Sequence, residues 1–265
     1  MTEPLSVCIA GAAGRMGRRL VALATAADDL TLAAAVDSER HSGQDAGDLA
    51  GVGSVGVSIE TSLPTSVGAI IDFSVPDAVP GVAAHCADCR IPLVEATTGL
   101  MEPQRQAVLD ASHVTPVVFA PSMSTAVNIA MKLVAEAGAA LEGTPGDVDV
   151  EIIERHHRHK EDAPSGTALK FGEVVSAAMG QSRHVHGREG RTGPRPRDEI
   201  GYHAVRVGDD VGQHTIVFGM PGETLEIAVR GQSRDSYAYG ALTAARWLVG
   251  RPPGLYSMAD VLGLS

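Results

Sequence analysis

The sequence predicts an α/β protein: a parallel-sheet domain flanked by helices, joined to a second α+β domain whose sheet is mostly antiparallel or mixed. Three observations predict it. Short apolar runs alternate with helix-like stretches through the first half, as βαβ units require. Glycines 11, 14 and 17 cluster where the first apolar run gives way to the first helix. After residue 125 the texture changes to runs of alternating polarity, the mark of a sheet with one buried face.

Leu5 to Ala10 is a bounded apolar run, hence a strand, and Arg15 to Ala27, rich in Ala and Leu, is a helix. Leu32 to Val36 is the next strand, followed by a Gly/Asp/Ser-rich loop and a strand at Ala69 to Phe73. Pro76 suits the first position of a helix over Asp77 to Cys89. Leu93 to Ala96 and Val117 to Ala120 complete the strands of the first half. A long amphipathic helix, Thr125 to Leu141, marks the passage to the second domain. There Asp147 to Glu154 alternates as a strand, and Ala168 to Met179 is a helix closed by Gly180. Arg183 to Glu199, rich in Gly, Pro and charge, reads as a mobile loop. Strands follow at His203 to Val207, His214 to Phe218 and Thr224 to Val229, then a helix at Tyr237 to Val249 and a final short turn.

Composition agrees. Aromatics are only 3% of the 265 residues, so Ala, Val, Leu and Ile must build the core, which suits helices on a buried sheet. A net charge of −11 argues against nucleic acid or an anionic membrane as partner, though not against a small anion in a local basic pocket. No apolar run reaches the length of a membrane span, and the N-terminal stretch is short and acidic for a signal peptide. Three cysteines (Cys8, Cys86, Cys89) cannot make a disulfide framework, which points to the cytoplasm. The Cys86-x-x-Cys89 pair lacks a second pair and lies on a helical stretch, so buried helix residues are favoured over a zinc or redox site.

Two motifs carry chemistry. Gly11-Ala12-Ala13-Gly14-Arg15-Met16-Gly17 links the first strand to the first helix, and Asp37 lies about 20 residues on, at the end of the second strand. Such a turn lets backbone approach a pyrophosphate at the helix N-terminus, while the Asp takes the adenosine ribose hydroxyls. This is a Rossmann-like arrangement, although Ala13 stands where a second glycine is usual. The alternative is a plain glycine turn with a surface Asp. In the second half, each residue of His156-His157-Arg158-His159-Lys160 can carry positive charge. Clustered cations are costly without an anion, so a bound anion is the simplest account, and a histidine there can donate a proton near neutral pH. Ser165 is a candidate helix N-cap, leaving Gly166 and Thr167 to present N–H groups to a carboxylate. A metal site would need ligands that no paired Cys or carboxylate supplies here, and a solvated basic strand end is the other alternative.

These stretches resemble the bacterial dihydrodipicolinate reductases. The similar segments are residues 11–17, Asp72-Phe-Ser74, Ala96-Thr-Thr-Gly99, Glu154 through Ala168, Gly201 through Arg206, His214 through Phe218 and Ser233-Arg234, in the family's order over most of the chain. The resemblance implies reduction of 4-hydroxy-tetrahydrodipicolinate to tetrahydrodipicolinate by NADH or NADPH, in lysine and diaminopimelate biosynthesis. It casts His156 as proton donor and Lys160 as its catalytic partner. His157, Ser165, Gly166 and Thr167 would hold a small dicarboxylate substrate. Residues 11–17, Asp37, Ala96, Thr97, Thr98, Ala120, Pro121, Ser122 and Met123 would line the cofactor, with no metal. It further implies a homotetramer built through the second sheet and a last helix that returns to the first domain. The dinucleotide-binding domain is then 1–124 with 235–265, and the substrate and oligomerisation domain is 125–234. The chain departs from the family at Ala96 (usually Gly), Ser122-Met123 (usually Asn-Phe) and Val229 (usually His). A related reductase acting on another cyclic imine or carboxylated substrate, or a non-catalytic dinucleotide sensor, are the rival readings.

Overall fold

The computed structural model describes residues 3–143 and 148–264. In chain order the elements are β1 (Leu5–Ala10), α1 (Arg15–Thr25), β2 (Leu30–Val36), α2 (Ala46–Ala50), β3 (Ile59–Glu60), β4 (Ala69–Asp72), α3 (Val79–Cys89), β5 (Leu93–Glu95), α4 (Glu102–Ser112), β6 (Pro116–Phe119) and α5 (Thr125–Leu141). Then come β7 (Asp149–His156), α6 (Gly166–Met179), β8 (Arg183–His186), β9 (Glu199–Arg206), β10 (Gly212–Met220) and β11 (Glu223–Gly231). The chain closes with α7 (Asp235–Leu248), β12 (Gly254–Tyr256) and α8 (Met258–Leu262). Two compact units result: Met1–Thr125 with Arg234–Ser265, and Ala126–Ser233.

The first unit holds a seven-stranded sheet in the order β12-β6-β5-β4-β1-β2-β3, every neighbouring pair parallel. Its central strands are apolar on both faces because both are covered: Ile70, Ile71, Leu93, Val94, Val117 and Val118 are fully buried. One face packs Leu20 and Val21 of α1 with Ala241 and Leu248 of α7. The other packs Val82 and Ala83 of α3 with Val108 and Ala111 of α4. The strand order reverses between β1 and β4, and such a switch point opens a crevice at the carboxyl ends of the strands.

The second unit is a mixed five-stranded sheet, β11-β10-β7-β9-β8. β10 runs antiparallel to both β7 and β11, whereas β9 runs parallel to β7 and to β8. Helices α5 and α6 cover one face through Val127, Val134, Phe171 and Val175 over Val150, Ile152 and Phe218. Gly172 lets α6 lie on Tyr202, whose hydroxyl would stand 1.6 Å from any Cβ there. On the opposite face Ile153 and Val205 remain exposed.

Several expected elements shift. α3 begins at Val79, with Pro80 rather than Pro76 in its first turn, where a missing N–H costs nothing. The first-half loop contains α2, capped by Asp45 through the Gly47 and Asp48 amides, and the short strand β3. Residues 183–186 of the expected loop are edge strand β8, and the final turn is β12 plus α8. Helix α4 had no counterpart in the sequence reading. The predicted strand start Asp147 lies outside the described residues.

Candidate active site

In the first unit the glycine turn is fixed by close approach. Gly11 has φ +76°, and a Cβ there would stand 2.6 Å from the Phe73 carbonyl. A Cβ at Gly17 would stand 2.0 Å from the Gly11 carbonyl, so only glycine lets α1 pack on its own turn. Asp37 accepts a 2.9 Å hydrogen bond from the Ala13 amide at Oδ2 and a 2.8 Å bond from the Ser38 amide at Oδ1. The turn is thereby held against the end of β2. Helix α1 opens at Gly14, where no side chain caps its amides, so the positive end of the helix faces the crevice. A cleft of about 720 Å³ lies here, lined in part by Gly11, Ala13, Gly14, Asp37, His41 and His85. That volume lies within the range of sites for small organic ligands. Ala96, Thr97 and Thr98 follow β5, and Ala120, Pro121, Ser122 and Met123 follow β6, so all the predicted cofactor segments gather at one edge of one sheet. Gly240 of α7 backs the last of them: a Cβ there would stand 1.7 Å from the Met123 carbonyl.

In the second unit the predicted residues surround one carboxylate that the sequence reading gave no role. Glu154, at the end of β7, is almost fully buried. Its Oε2 receives His156 Nδ1 at 2.6 Å and an Arg206 guanidinium nitrogen at 2.8 Å. Its Oε1 receives the other guanidinium nitrogen at 2.8 Å and the Ser165 amide at 3.1 Å. Burial alone would raise the Glu154 carboxyl, but the hydrogen bonds from His156 and Arg206 outweigh it and hold it down to about 2. An ionised carboxylate only accepts, so His156 carries its proton on Nδ1 and leaves Nε2 for exchange with a ligand.

The same carboxylate sets the start of α6. Ser165 is the N-cap, its Oγ accepting from the Ala168 amide at 3.2 Å and meeting His214 Nε2 at 3.1 Å. Burial first, then the neighbouring His156, pushes His214 down to about 4, so it is neutral at physiological pH. Gly166 and Thr167 open the helix immediately afterwards. The chain from His157 to Lys160 is pinned by backbone bonds from His157 to Asp210 and from Arg158 to Gly208. Lys160 Nζ lies 2.8 Å from Asp162, and the rings of His157 and His159 tilt together at 6.2 Å.

Arg206 and His214 were visible as residues but not as partners. Glu154 and His156 project from the same face of β7, two residues apart. The register then places Arg206 opposite His156 and His214 opposite Glu154. Cys86 and Cys89 lie on α3, the first buried and the second 3.8 Å from His85. Among the described residues no group of three or more His, Cys, Asp or Glu is placed to hold a metal ion, and no helix is long and apolar enough to cross a membrane.

Comparison with known proteins agrees over both units. A family model described as dihydrodipicolinate reductase, N-terminus, matches residues 5–123, and one described as dihydrodipicolinate reductase, C-terminus, matches residues 126–262. The 4-hydroxy-tetrahydrodipicolinate reductase of Rhodopirellula baltica is 53% identical, spanning 100% of this chain and 98% of the relative. That of Alkalilimnicola ehrlichii is 47% identical over 97% of this chain and 98% of its own. Among solved structures, the dipicolinate-bound dihydrodipicolinate reductase of Paenisporosarcina sp. TG-14 superposes with a TM-score of 0.76 at 25% identity, covering 97% and 98% of the two chains.

Proposed function

This chain belongs to the dihydrodipicolinate reductase family, and from that premise we propose how its residues perform the reaction. The chain is an NAD(P)H-dependent oxidoreductase that reduces 4-hydroxy-tetrahydrodipicolinate to tetrahydrodipicolinate, with loss of water, in the lysine and diaminopimelate route. The reduced nicotinamide supplies the hydride. Residues Gly11 to Gly17 offer amides and a helix end for the pyrophosphate, and Asp37 offers a carboxylate for the ribose. The glycine positions that no Cβ could occupy and the uncapped start of α1 fit such a group.

His156 donates the proton from Nε2, and Glu154 holds its ring in orientation through Nδ1. Lys160 is its partner. Gly166 and Thr167, with His157, receive the substrate carboxylates at the start of α6. The observation that carries this reading is the bonding of both the His156 ring and the Ser165 amide to one buried carboxylate. The proton donor and the anion-binding helix end are thus fixed relative to each other. Assay of the purified protein with enzymatically generated substrate and each cofactor tests the reading directly. Absence of turnover with both cofactors would overturn it.

The substrate class gives a sharper expectation. Arg158, Lys160 and the start of α6 supply more positive potential than one carboxylate needs, so pyridine-2,6-dicarboxylate should compete with substrate. Picolinate, lacking one carboxylate, should bind roughly ten- to a hundredfold more weakly, the value of one charge-assisted contact. Equal affinity for the two would move the substrate away from dicarboxylates. Val229, which faces His214 across the β10–β11 register, and Ala96 would then be the first positions to examine.

Cofactor choice follows from Asp37. Its carboxylate repels a 2′-phosphate, so NADH should serve at least as well as NADPH, and Asp37→Ala should narrow the gap. A tenfold preference of the unmodified enzyme for NADPH, measured as kcat/KM, would contradict this. We also propose a cytoplasmic homotetramer assembled through the second sheet. The exposed apolar residues Ile153 and Val205 support that face, and light scattering on the purified protein tests it.

A further inference from the structure

Asp72 and Glu95 end the adjacent strands β4 and β5, where they are register partners. Both are fully buried. They project from the sheet face of Ile70 and Leu93, two residues before each, into the apolar cluster under α3 and α4. Each uses one oxygen to close the turn that follows its strand. The Ser74 amide donates to Asp72 Oδ1 at 2.8 Å, and the Thr97 amide donates to Glu95 Oε1 at 2.7 Å. The remaining oxygens, Asp72 Oδ2 and Glu95 Oε2, are buried and receive no hydrogen bond if both groups are ionised.

Among the described residues the surroundings offer no compensating charge. Cys8 on β1 and Cys86 on α3 face the pair as thiols, both raised chiefly by burial and then by the charge of Asp72. From β6, Phe119 is the register partner of Glu95, and α4 contributes Val108 and Ala111 to the cluster. The principal groups acting on either carboxyl include no cation. Two adjacent carboxylates in such a place cannot both be charged. One proton between them turns two orphan acceptors into a single short O–H···O bond.

We propose that Asp72 and Glu95 share one proton at neutral pH and act through it as positioning residues, tying the Phe73–Ser74 turn to the Ala96–Thr98 turn. The role rests on the reading of these turns as cofactor-lining. Phe73 and Ser74 border the cleft, with the Phe73 carbonyl against Gly11, while Ala96 to Thr98 continue directly from Glu95. Burial first, and then the charge of Asp72, pushes Glu95 up to about 9, and burial raises Asp72 as well.

The sign of the pH dependence is fixed by that direction. A carboxyl raised in the folded state stabilises the fold fully below its unfolded value, near 4.5. The contribution is lost progressively as pH rises through the folded value. Glu95→Gln keeps a permanent donor toward Asp72 and does not titrate. Its folding equilibrium constant should therefore gain on the unmodified protein by roughly tenfold per pH unit between about pH 6 and 8. The infrared spectrum of the unmodified protein at pH 7 should show a buried protonated carboxyl that Glu95→Gln diminishes. A constant gap between the two proteins across this range, or no protonated carboxyl at pH 7, would overturn the shared proton.

The positioning role has its own readout in NADH binding followed by fluorescence. Glu95→Ala should weaken binding about tenfold, and Glu95→Gln should restore it to within about threefold of the original. If the alanine variant binds NADH as tightly as the original, the pair is structural only and the positioning role fails. Neither the stability nor the infrared measurement uses substrate or cofactor, so their outcome is separate from that of the turnover assay.

Discussion

His156→Ala should lower kcat by about a hundredfold or more, the usual cost of losing a positioned general acid. The direction follows from the bonding of the ring. Glu154 accepts from Nδ1 at 2.6 Å inside a buried setting, which fixes the tautomer and orients Nε2. An alanine removes the donor while leaving Glu154 bonded to Arg206 and Ser165. NADH affinity should therefore be unchanged, since the cofactor residues belong to the other unit. Lys160→Ala should also lower kcat. Near-normal turnover in His156→Ala would move the assignment to His157 or His159, the other histidines of the segment.

The largest stability effect is expected at Glu154. Removing one member of a buried ion pair leaves the other uncompensated, which typically costs about 3–5 kcal/mol. In Glu154→Ala, Arg206 loses both of its bonds to the carboxylate, and the start of α6 loses the acceptor for the Ser165 amide. The urea midpoint should fall accordingly. The effect should also depend on pH with a definite sign. The Glu154 carboxyl is lowered from 4.5 to about 2 by His156 and Arg206 acting against burial. Its contribution is therefore complete above about pH 4.5 and is lost as pH falls toward 2. The gap between the variant and the original protein should shrink from pH 7 to pH 3. A gap of the same size at both would mean that the carboxylate's charge is not what stabilises this region.

The elements that sequence made legible are those whose signal is local. β1, α5 and the glycine turn are each written in a contiguous pattern, and β1 and α5 appear with the expected ends. Helix α4 was missed because its stripe is thin: of its eleven residues only Val108, Ala111 and Ser112 are buried. Pro103 in its first turn and Gln104, whose side chain accepts the Met101 amide at 3.0 Å, were the available signals. β8 was missed for a different reason. It is an edge strand of sequence RHVH with no fully buried residue, so it has no apolar face to announce it. The site divides along the same line. His156, Lys160 and Ser165 were readable from their own neighbourhood. The partnership of Glu154 with Arg206 spans 52 positions, and that of Ser165 with His214 spans 49. The pairing of β7 with β9 and β10 creates both, and no short window contains them.

The return of the chain to its first unit bears on how the protein is made. β12 adds the seventh strand beside β6, and α7 supplies Ala241, Leu242 and Leu248 to the core beneath the sheet. A nascent chain that has delivered β6 still lacks that helix, so the face it shares with α1 stays only partly covered while residues 126–233 are translated. At common rates of synthesis that interval is roughly 5–20 s. Throughout it the ribosome carries an incompletely covered apolar sheet, which makes this intermediate a natural client for chaperones. A stop codon placed just after residue 234 should therefore yield an insoluble product, even though every residue before α7 is present.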